Sequence, residues 1–266
     1  MRKILFAFIL ILLAIQVKAQ SVADYISAPF PTYMTAAPDG KAVAWVFNDK
    51  GERNVFYAKA PNYEAKKLTD FKGDIGVDLG PVVFSPDSKT LLFVRGNGRN
   101  SNGQPANPAQ LQENTDKKIF KLDLESGKSS WFAPGTSPVF SPNGDQVAYL
   151  IGGSVYLKAA SDSTDSVKQL FTARGSASML SFSPDGKFLA FVSGRTDHSF
   201  VGLWDLEKKQ LTYPEASLDF DSYPTWSPDG KKLAYLRIPN ILNLLPFTSI
   251  KTANPWSIRV LNIETM

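Results

Sequence analysis

The chain has 266 residues, of which 43% are hydrophobic and 20% are charged, a composition typical of a globular protein with a substantial core. It contains no cysteine and a single histidine, which excludes disulfide scaffolds, cysteine nucleophiles, and metal sites built from thiolates or from several histidines. The 29 basic and 25 acidic residues give a formal charge of only +4.

The N-terminus has the features of a secretory signal peptide. Two basic residues precede an unbroken apolar run over residues 4–15, which at about 1.5 Å per residue is too short to cross a bilayer. Val17 and Ala19 then place small residues where signal peptidase requires them, just before Gln20. We predict a signal peptide over residues 1–19 and an exported protein, periplasmic or secreted. An uncleaved membrane anchor is the alternative.

Removal of residues 1–19 would take away three basic residues and no acidic one, so the remaining chain would carry 26 basic against 25 acidic residues. This nearly neutral balance gives no support for a nucleic-acid partner, because nucleic-acid binding needs a basic patch. We also expect no membrane association once the signal has been cleaved.

Internal repetition is the strongest signal in the rest of the chain. A phrase of the type Ser-Pro-Asp-Gly-Lys occurs five times, with its prolines 42 to 56 residues apart, at Ala37–Lys41, Ser85–Lys89, Ser141–Asp145, Ser183–Lys187 and Ser227–Lys231. Each copy predicts a type I turn, because proline presets φ, Asp or Asn accepts local hydrogen bonds, and glycine tolerates a positive φ.

An apolar tetrad follows every turn and has an aromatic residue at its third position. The tetrads are Val43–Val46, Leu91–Val94, Val147–Leu150, Leu189–Val192 and Leu233–Leu236. An uninterrupted apolar run of this length between turns predicts a strand that is buried on both faces. Sheets that stack against a neighbour on each side bury their strands in this way.

A loop and a third strand follow each tetrad, and in the first four repeats a polar turn leads to a short fourth strand, such as Lys67–Thr69 or Gln210–Thr212. Four antiparallel strands in a repeat of this length form the blade of a β-propeller. We therefore predict an all-β propeller over residues 20–266, with four-stranded blades at approximately 22–70, 71–135, 136–175, 176–218 and 219–266. A β-sandwich is the alternative, but it does not require the same aromatic residue in every repeat.

The repeated turn and tetrad resemble the TolB-type propeller repeat. Three further stretches resemble the propeller of exported bacterial serine peptidases of the prolyl oligopeptidase family, namely Asp24–Pro31, Asn102–Pro108 and Pro255–Val260. In that family the propeller restricts which peptides reach an α/β-hydrolase domain with a Ser–Asp–His triad, which follows it in the chain. The resemblance implies peptide substrates, handled through a C-terminal catalytic domain that is missing from these residues.

None of the 18 glycines begins the Gly-x-Ser-x-Gly pentapeptide in which such hydrolases present their nucleophile. We therefore expect no catalytic residue here and no hydrolase activity of this chain alone. His198 lies in a polar stretch between two predicted strands, and Gly127–Ser129 is better explained by a hairpin turn than by a phosphate-binding loop. Asp162 and Asp165 are typical of a solvated loop. We predict no cofactor and no metal site.

The fifth repeat reaches Leu261–Met266, which corresponds to the turn before the fourth strand of the other repeats. We therefore expect the last of about five blades to be incomplete. On this interpretation the chain is a truncated product or a gene fragment of a larger peptidase, and its propeller would have further blades.

Two of the loops that join a second strand to a third are long. Gly96–Lys117 is rich in Asn, Gln, Gly and Pro, and Arg237–Pro255 contains several leucines and isoleucines. Both should emerge on the face opposite the repeated turns, and long loops in compact domains are often functional. The Arg237–Pro255 loop is a candidate contact for a protein partner or the catalytic domain; packing on its own blade is the alternative.

Two functions stay open. The first is the non-catalytic, substrate-gating propeller of an exported peptidase of the prolyl oligopeptidase family. The second is a stand-alone TolB-like periplasmic propeller that binds other proteins. A propeller lyase or glycosidase is disfavoured, because no cluster of acids and bases emerges from the repeats.

Overall fold

The computed structural model describes Val22 and residues 29–164, 166–240 and 256–265. The predicted signal peptide over residues 1–19 lies outside the described residues, as does most of the Arg237–Pro255 loop. In the part of the chain that is described, no helix is long and apolar enough to cross a membrane.

The described residues form nineteen strands, grouped in chain order into five blades. Blade one contains β1 (Phe30–Ala36), β2 (Ala42–Asp49), β3 (Glu52–Lys59) and β4 (Lys66–Lys67). Blade two contains β5 (Leu79–Phe84), β6 (Thr90–Arg95), β7 (Lys118–Asp123) and β8 (Ser129–Pro134). Blade three contains β9 (Thr136–Phe140), β10 (Gln146–Ile151), β11 (Ser154–Ala159) and β12 (Gln169–Phe171). Blade four contains β13 (Ser176–Phe182), β14 (Phe188–Gly194), β15 (Ser199–Asp205) and β16 (Gln210–Thr212), and blade five contains β17 (Phe220–Trp226), β18 (Lys232–Ile238) and β19 (Ser257–Asn262).

Within each blade, neighbouring strands follow chain order and pair antiparallel, which confirms the predicted all-β propeller fold. Blades four and five are joined by a single parallel bridge between Ser199 and Phe220. Blade five has three strands in its described part, and a short 3-10 helix over Ile263–Thr265 follows its third strand. The fourth strand of blade one is shorter than expected, because the Thr69 side chain, in place of a backbone group, accepts the bond from the Val55 N–H.

The repeated turns are held by a serine hydroxyl. In blade four, Ser183 Oγ accepts a hydrogen bond from the Phe188 N–H and donates one to Asp185, whose carboxylate accepts the Lys187 N–H. Blades two and five repeat this arrangement with the same three residue types. In blade two, the hydroxyl of Ser85 lowers the pKa of the Asp87 carboxyl below its ordinary value.

Each tetrad packs against every neighbouring blade that the described structure contains. Its second and fourth residues face the following blade, as Ala44 and Val46 do against Leu91 and Phe93. Its first and third residues face the preceding blade. The same arrangement recurs between blades two and three, three and four, and four and five. The predicted burial of the tetrads on both faces is therefore confirmed for the three middle blades, and each large apolar side chain contributes about 1.5–3 kcal/mol.

Candidate functional site on the loop face

The propeller has two different faces. The repeated turns join first strands to second strands at one end of the blades, and we call this end the turn face. The connections from second to third strands lie at the opposite end, because paired strands run antiparallel. We call that end the loop face. It carries the Gly96–Lys117 loop and the first residues of the Arg237–Pro255 loop.

The Gly96–Lys117 loop is ordered around a buried asparagine. Asn97 is 4% exposed, and its side-chain amide donates to the carbonyl oxygens of Gly76 (2.9 Å) and Ala106 (2.7 Å). Its side-chain oxygen accepts the Asp78 N–H at 2.9 Å. Asn97 therefore ties the base of its own loop to the segment that joins blade one to blade two.

The outer part of this loop is also fixed. Arg99 donates to Asp116 at 2.7 Å and to the Gly103 carbonyl at 2.6 Å. Pro108 packs so closely on Gly76 that a Cβ at Gly76 would lie 2.8 Å from the proline ring. A loop held by this many contacts has lost most of its conformational entropy before any ligand arrives, so it presents a preformed surface.

A second feature of the loop face is a cleft of about 750 Å³ in blade four, which we call the blade-four cleft. It is lined by Arg174, Gly175, Ser176, Gly194, Arg195, Thr196, Asp197, His198 and Phe200. The residues before β13 form one wall, and the loop between β14 and β15 forms the other. Its volume lies within the range of ligand pockets.

His198 is the only histidine of the chain, and it lines this cleft. Its Nδ1 lies 2.7 Å from an oxygen of Asp197, and its ring stacks on Phe200 with centroids 5.6 Å apart. Among the described residues, no hydrogen bond joins the His198 side chain to a serine hydroxyl. The described residues also contain no group of three or more His, Asp or Glu side chains that is suited to a metal ion.

The other residues considered from the sequence lie elsewhere. Gly127 occupies the turn between β7 and β8, where its N–H donates to the Asp123 carbonyl. Hydrogen bonds from Thr164 and Ser166 lower the pKa of Asp162 to about 2. Asp165 lies outside the described residues. Sequence reasoning did not single out Arg174 or Arg195, because an isolated arginine in a polar loop carries no motif.

Polar side chains are buried beneath the loop face of blade five. Arg237 donates to both carboxylate oxygens of Asp221, at 2.7 and 2.9 Å, and also to the Glu215 carbonyl at 2.7 Å. The Tyr235 hydroxyl donates to the Glu215 carboxylate at 2.6 Å. Burial raises the pKa of Tyr235 well above its ordinary value. This network ties the connection between blades four and five to the start of the Arg237–Pro255 loop.

The first strands of successive blades contact one another, so they lie closest to the propeller axis. Every first strand has a bulge with a positive φ, at Tyr33, Gly80, Ser137, Met179 and Tyr223. The sulfur of Met179 accepts the Tyr223 N–H at 3.2 Å, and the Tyr33 ring lies over Gly80. Side chains of one bulge therefore reach the bulge of the next blade, and the exposed Tyr33, Met179 and Tyr223 lie along the axis.

Comparison with known proteins supports the fold. No protein-family model matches the chain. A protein TolB homolog from Chlorobium chlorochromatii is 28% identical over 161 residues, which cover 59% of this chain and 32% of that protein. The matched part therefore spans about a third of the length of this curated relative.

Solved structures with the same fold include TolB from Acinetobacter baumannii, with a TM-score of 0.54, 20% identity, and coverage of 80% of this chain and 52% of that chain. They also include a structure described in a study of two prolyl endopeptidases, with a TM-score of 0.58, 14% identity, and coverage of 79% of this chain and 33% of that chain. At these identities the likeness shows the fold alone. The chain therefore has a TolB-like β-propeller fold.

Proposed function

We propose that this chain is the substrate-gating, non-catalytic propeller portion of an exported peptidase of the prolyl oligopeptidase family. The observation that carries the proposal is the outer face of blade five. There the second and fourth tetrad residues, Ala234 and Leu236, pair in register with Val260 and Ile258 of β19. Ile258 is 66% exposed and Val260 is 57% exposed.

The equivalent face is buried in every other blade, where it packs against the next tetrad. An exposed sheet face that carries large apolar residues such as Ile258 and Val260 marks a contact with further protein. A larger propeller would provide that contact, as the resemblance to the peptidases implies. The ordered Gly96–Lys117 loop would then narrow the loop face and select peptides by size.

A stand-alone TolB-like propeller that binds a protein partner is the second candidate. It is favoured by the likeness to the TolB homolog, which is 28% identical over 161 residues. In that case the outer face of blade five would be the binding surface for the partner.

The size and reactivity of the natural gene product distinguish the two candidates. Antibodies raised against this chain are used to isolate the native protein, whose mass is measured before and after labelling with a fluorophosphonate probe for active serines. We expect a product much larger than 29.2 kDa that is labelled, whereas the purified 266-residue chain stays unlabelled. A native product near the mass of this chain, unlabelled and monodisperse, would overturn the peptidase proposal and support the TolB-like module.

A further inference from the structure

The blade-four cleft has an excess of positive charge. Arg174 and Arg195 line it, and neither forms an ion pair with a carboxylate among the described residues. The acidic lining residue, Asp197, is bonded to His198 at 2.7 Å. Two arginines against one aspartate give the lining residues a formal excess of one positive charge.

One nitrogen of Arg195 has an unsatisfied hydrogen-bonding group. Its Nη1 is shielded from solvent and has no hydrogen-bond partner among the described residues. Buried donors without partners are rare in folded proteins, because the lost hydration is not replaced. The Arg195 guanidinium as a whole forms no hydrogen bond among the described residues, so an acceptor that enters the cleft would supply its first one.

The guanidinium of Arg195 is held in place before a ligand binds. Its central carbon lies 5.0 Å from the centroid of the Phe200 ring, and its backbone N–H donates to the His198 carbonyl at 2.8 Å. On the opposite wall, the buried Ser193 hydroxyl donates to the Arg174 carbonyl at 3.0 Å. Because both walls are fixed in this way, little ordering is required when a ligand binds.

We propose that the blade-four cleft binds the carboxylate group of a peptide, with Arg195 as the principal donor and Arg174 as the second charge. A guanidinium matches the planar carboxylate with two parallel hydrogen bonds. The cleft is much larger than a lone inorganic anion and has room for the adjoining residues of a peptide. The choice of a peptide as the ligand rests on the proposed function, whereas the carboxylate site itself does not.

An acidic oligosaccharide fits the cleft less well. Sugar sites usually offer a free aromatic face, but here His198 stacks on Phe200 and Arg195 also lies over this ring.

Arg99, another arginine on the loop face, differs from Arg195 because it already has a carboxylate partner. It already pairs with Asp116 at 2.7 Å, so it has no need of a ligand and serves as a matched control.

The test measures binding of fluorescein-labelled pentaalanine to the purified chain by fluorescence anisotropy. One probe ends in a free carboxylate and a second in an amide. A third is amidated but contains one glutamate, which distinguishes a terminal from a side-chain carboxylate. All probes carry the same dye, so its charge cancels in the comparison. We expect the free-acid or the glutamate probe to bind at least about tenfold more tightly than the neutral amide.

Arg195→Gln should remove this preference, Arg195→Lys should keep part of it, and the control Arg99→Gln should keep all of it. Arg174→Gln is a second variant in case Arg195→Gln lowers the thermal stability of the chain. Equal binding of acid and amide probes, or a preference that survives both Arg195→Gln and Arg174→Gln, would overturn the proposal. The proposal would also be overturned if inorganic phosphate displaced the free-acid probe as effectively as acetyl-alanine does, or if trigalacturonate bound to the chain and the peptides did not. Because the isolated chain is used, a negative result here is distinct from a failure of the peptidase proposal.

Discussion

Buried polar side chains fix the loop face at two points. Asn97 holds the base of the blade-two loop with three hydrogen bonds, and Arg237 pairs with Asp221 beneath blade five. A buried polar or charged side chain is tolerated only when its hydrogen-bond partners are in place, so each site requires a specific residue type. At the exposed positions of the Gly96–Lys117 loop, side chains can vary without this cost.

Arg237→Leu should leave the Asp221 carboxylate buried and unpaired. We expect the free energy of unfolding to fall by about 3–5 kcal/mol, measured by urea denaturation. The double variant Arg237→Leu with Asp221→Leu should recover most of this loss, because no unpaired charge remains. A single variant as stable as the parent chain would show that the ion pair is not needed for stability.

The repeated turn is the element that gives the propeller its regularity. On the turn face, the glycine of one blade lies beside the proline of the blade before it, as Gly144 does beside Pro86 and Gly230 beside Pro184. In blade one, where Ala37 replaces the motif serine, the Asp39 N–H donates to Ser88 of blade two at 3.3 Å. The turns therefore stabilise their own hairpins and also contact one another around the axis.

Ser183→Ala should leave the Phe188 N–H without its side-chain acceptor and lower the free energy of unfolding by about 1–2 kcal/mol. Ala37→Ser makes the opposite change in blade one and should raise this free energy by about 0.5–1 kcal/mol, because it supplies the missing hydroxyl. Both variants are compared with the parent chain by urea denaturation. Equal stability of the three proteins would show that the serine is not the source of the stability of the turn.

At the scale of the whole molecule, the same type of interface between neighbouring blades occurs four times in the described structure. The second and fourth tetrad residues of a blade, with their partners on the third strand, pack on the next blade. Val201 of blade four and Ile258 of blade five have the same register, since each pairs with the fourth tetrad residue. Val201 is 3% exposed and Ile258 is 66% exposed, so only blade five has this face open in the described structure.

This difference predicts opposite results for one substitution at two equivalent positions. Val201→Ser should cost about 3 kcal/mol of unfolding free energy, because it leaves a cavity and buries a hydroxyl. Ile258→Ser should leave the stability of the isolated chain nearly unchanged and should weaken whatever association this face makes in the native protein. Chemical denaturation tests the first part, and analytical ultracentrifugation of the native protein tests the second. A large loss of stability from Ile258→Ser alone would show that the face is already covered.

The sequence by itself determined the blade. Local rules act within a few residues, so the proline, aspartate and glycine of each turn and the apolar tetrad that follows predicted the strands and their order, and also the burial of the tetrads in the three middle blades. The repeat also indicated that the sheets stack side by side.

Only the tertiary structure decided which loop residues meet. Arg174 lies just before β13, and Arg195 lies just after β14. They share a cleft because β13 pairs antiparallel with β14, which brings these two ends together. The contacts between axial bulges, such as that of Met179 with Tyr223, likewise depend on how closely the first strands approach one another. Such contacts depend on the curvature of the stacked blades, which single residues do not encode and which packing of the whole core sets.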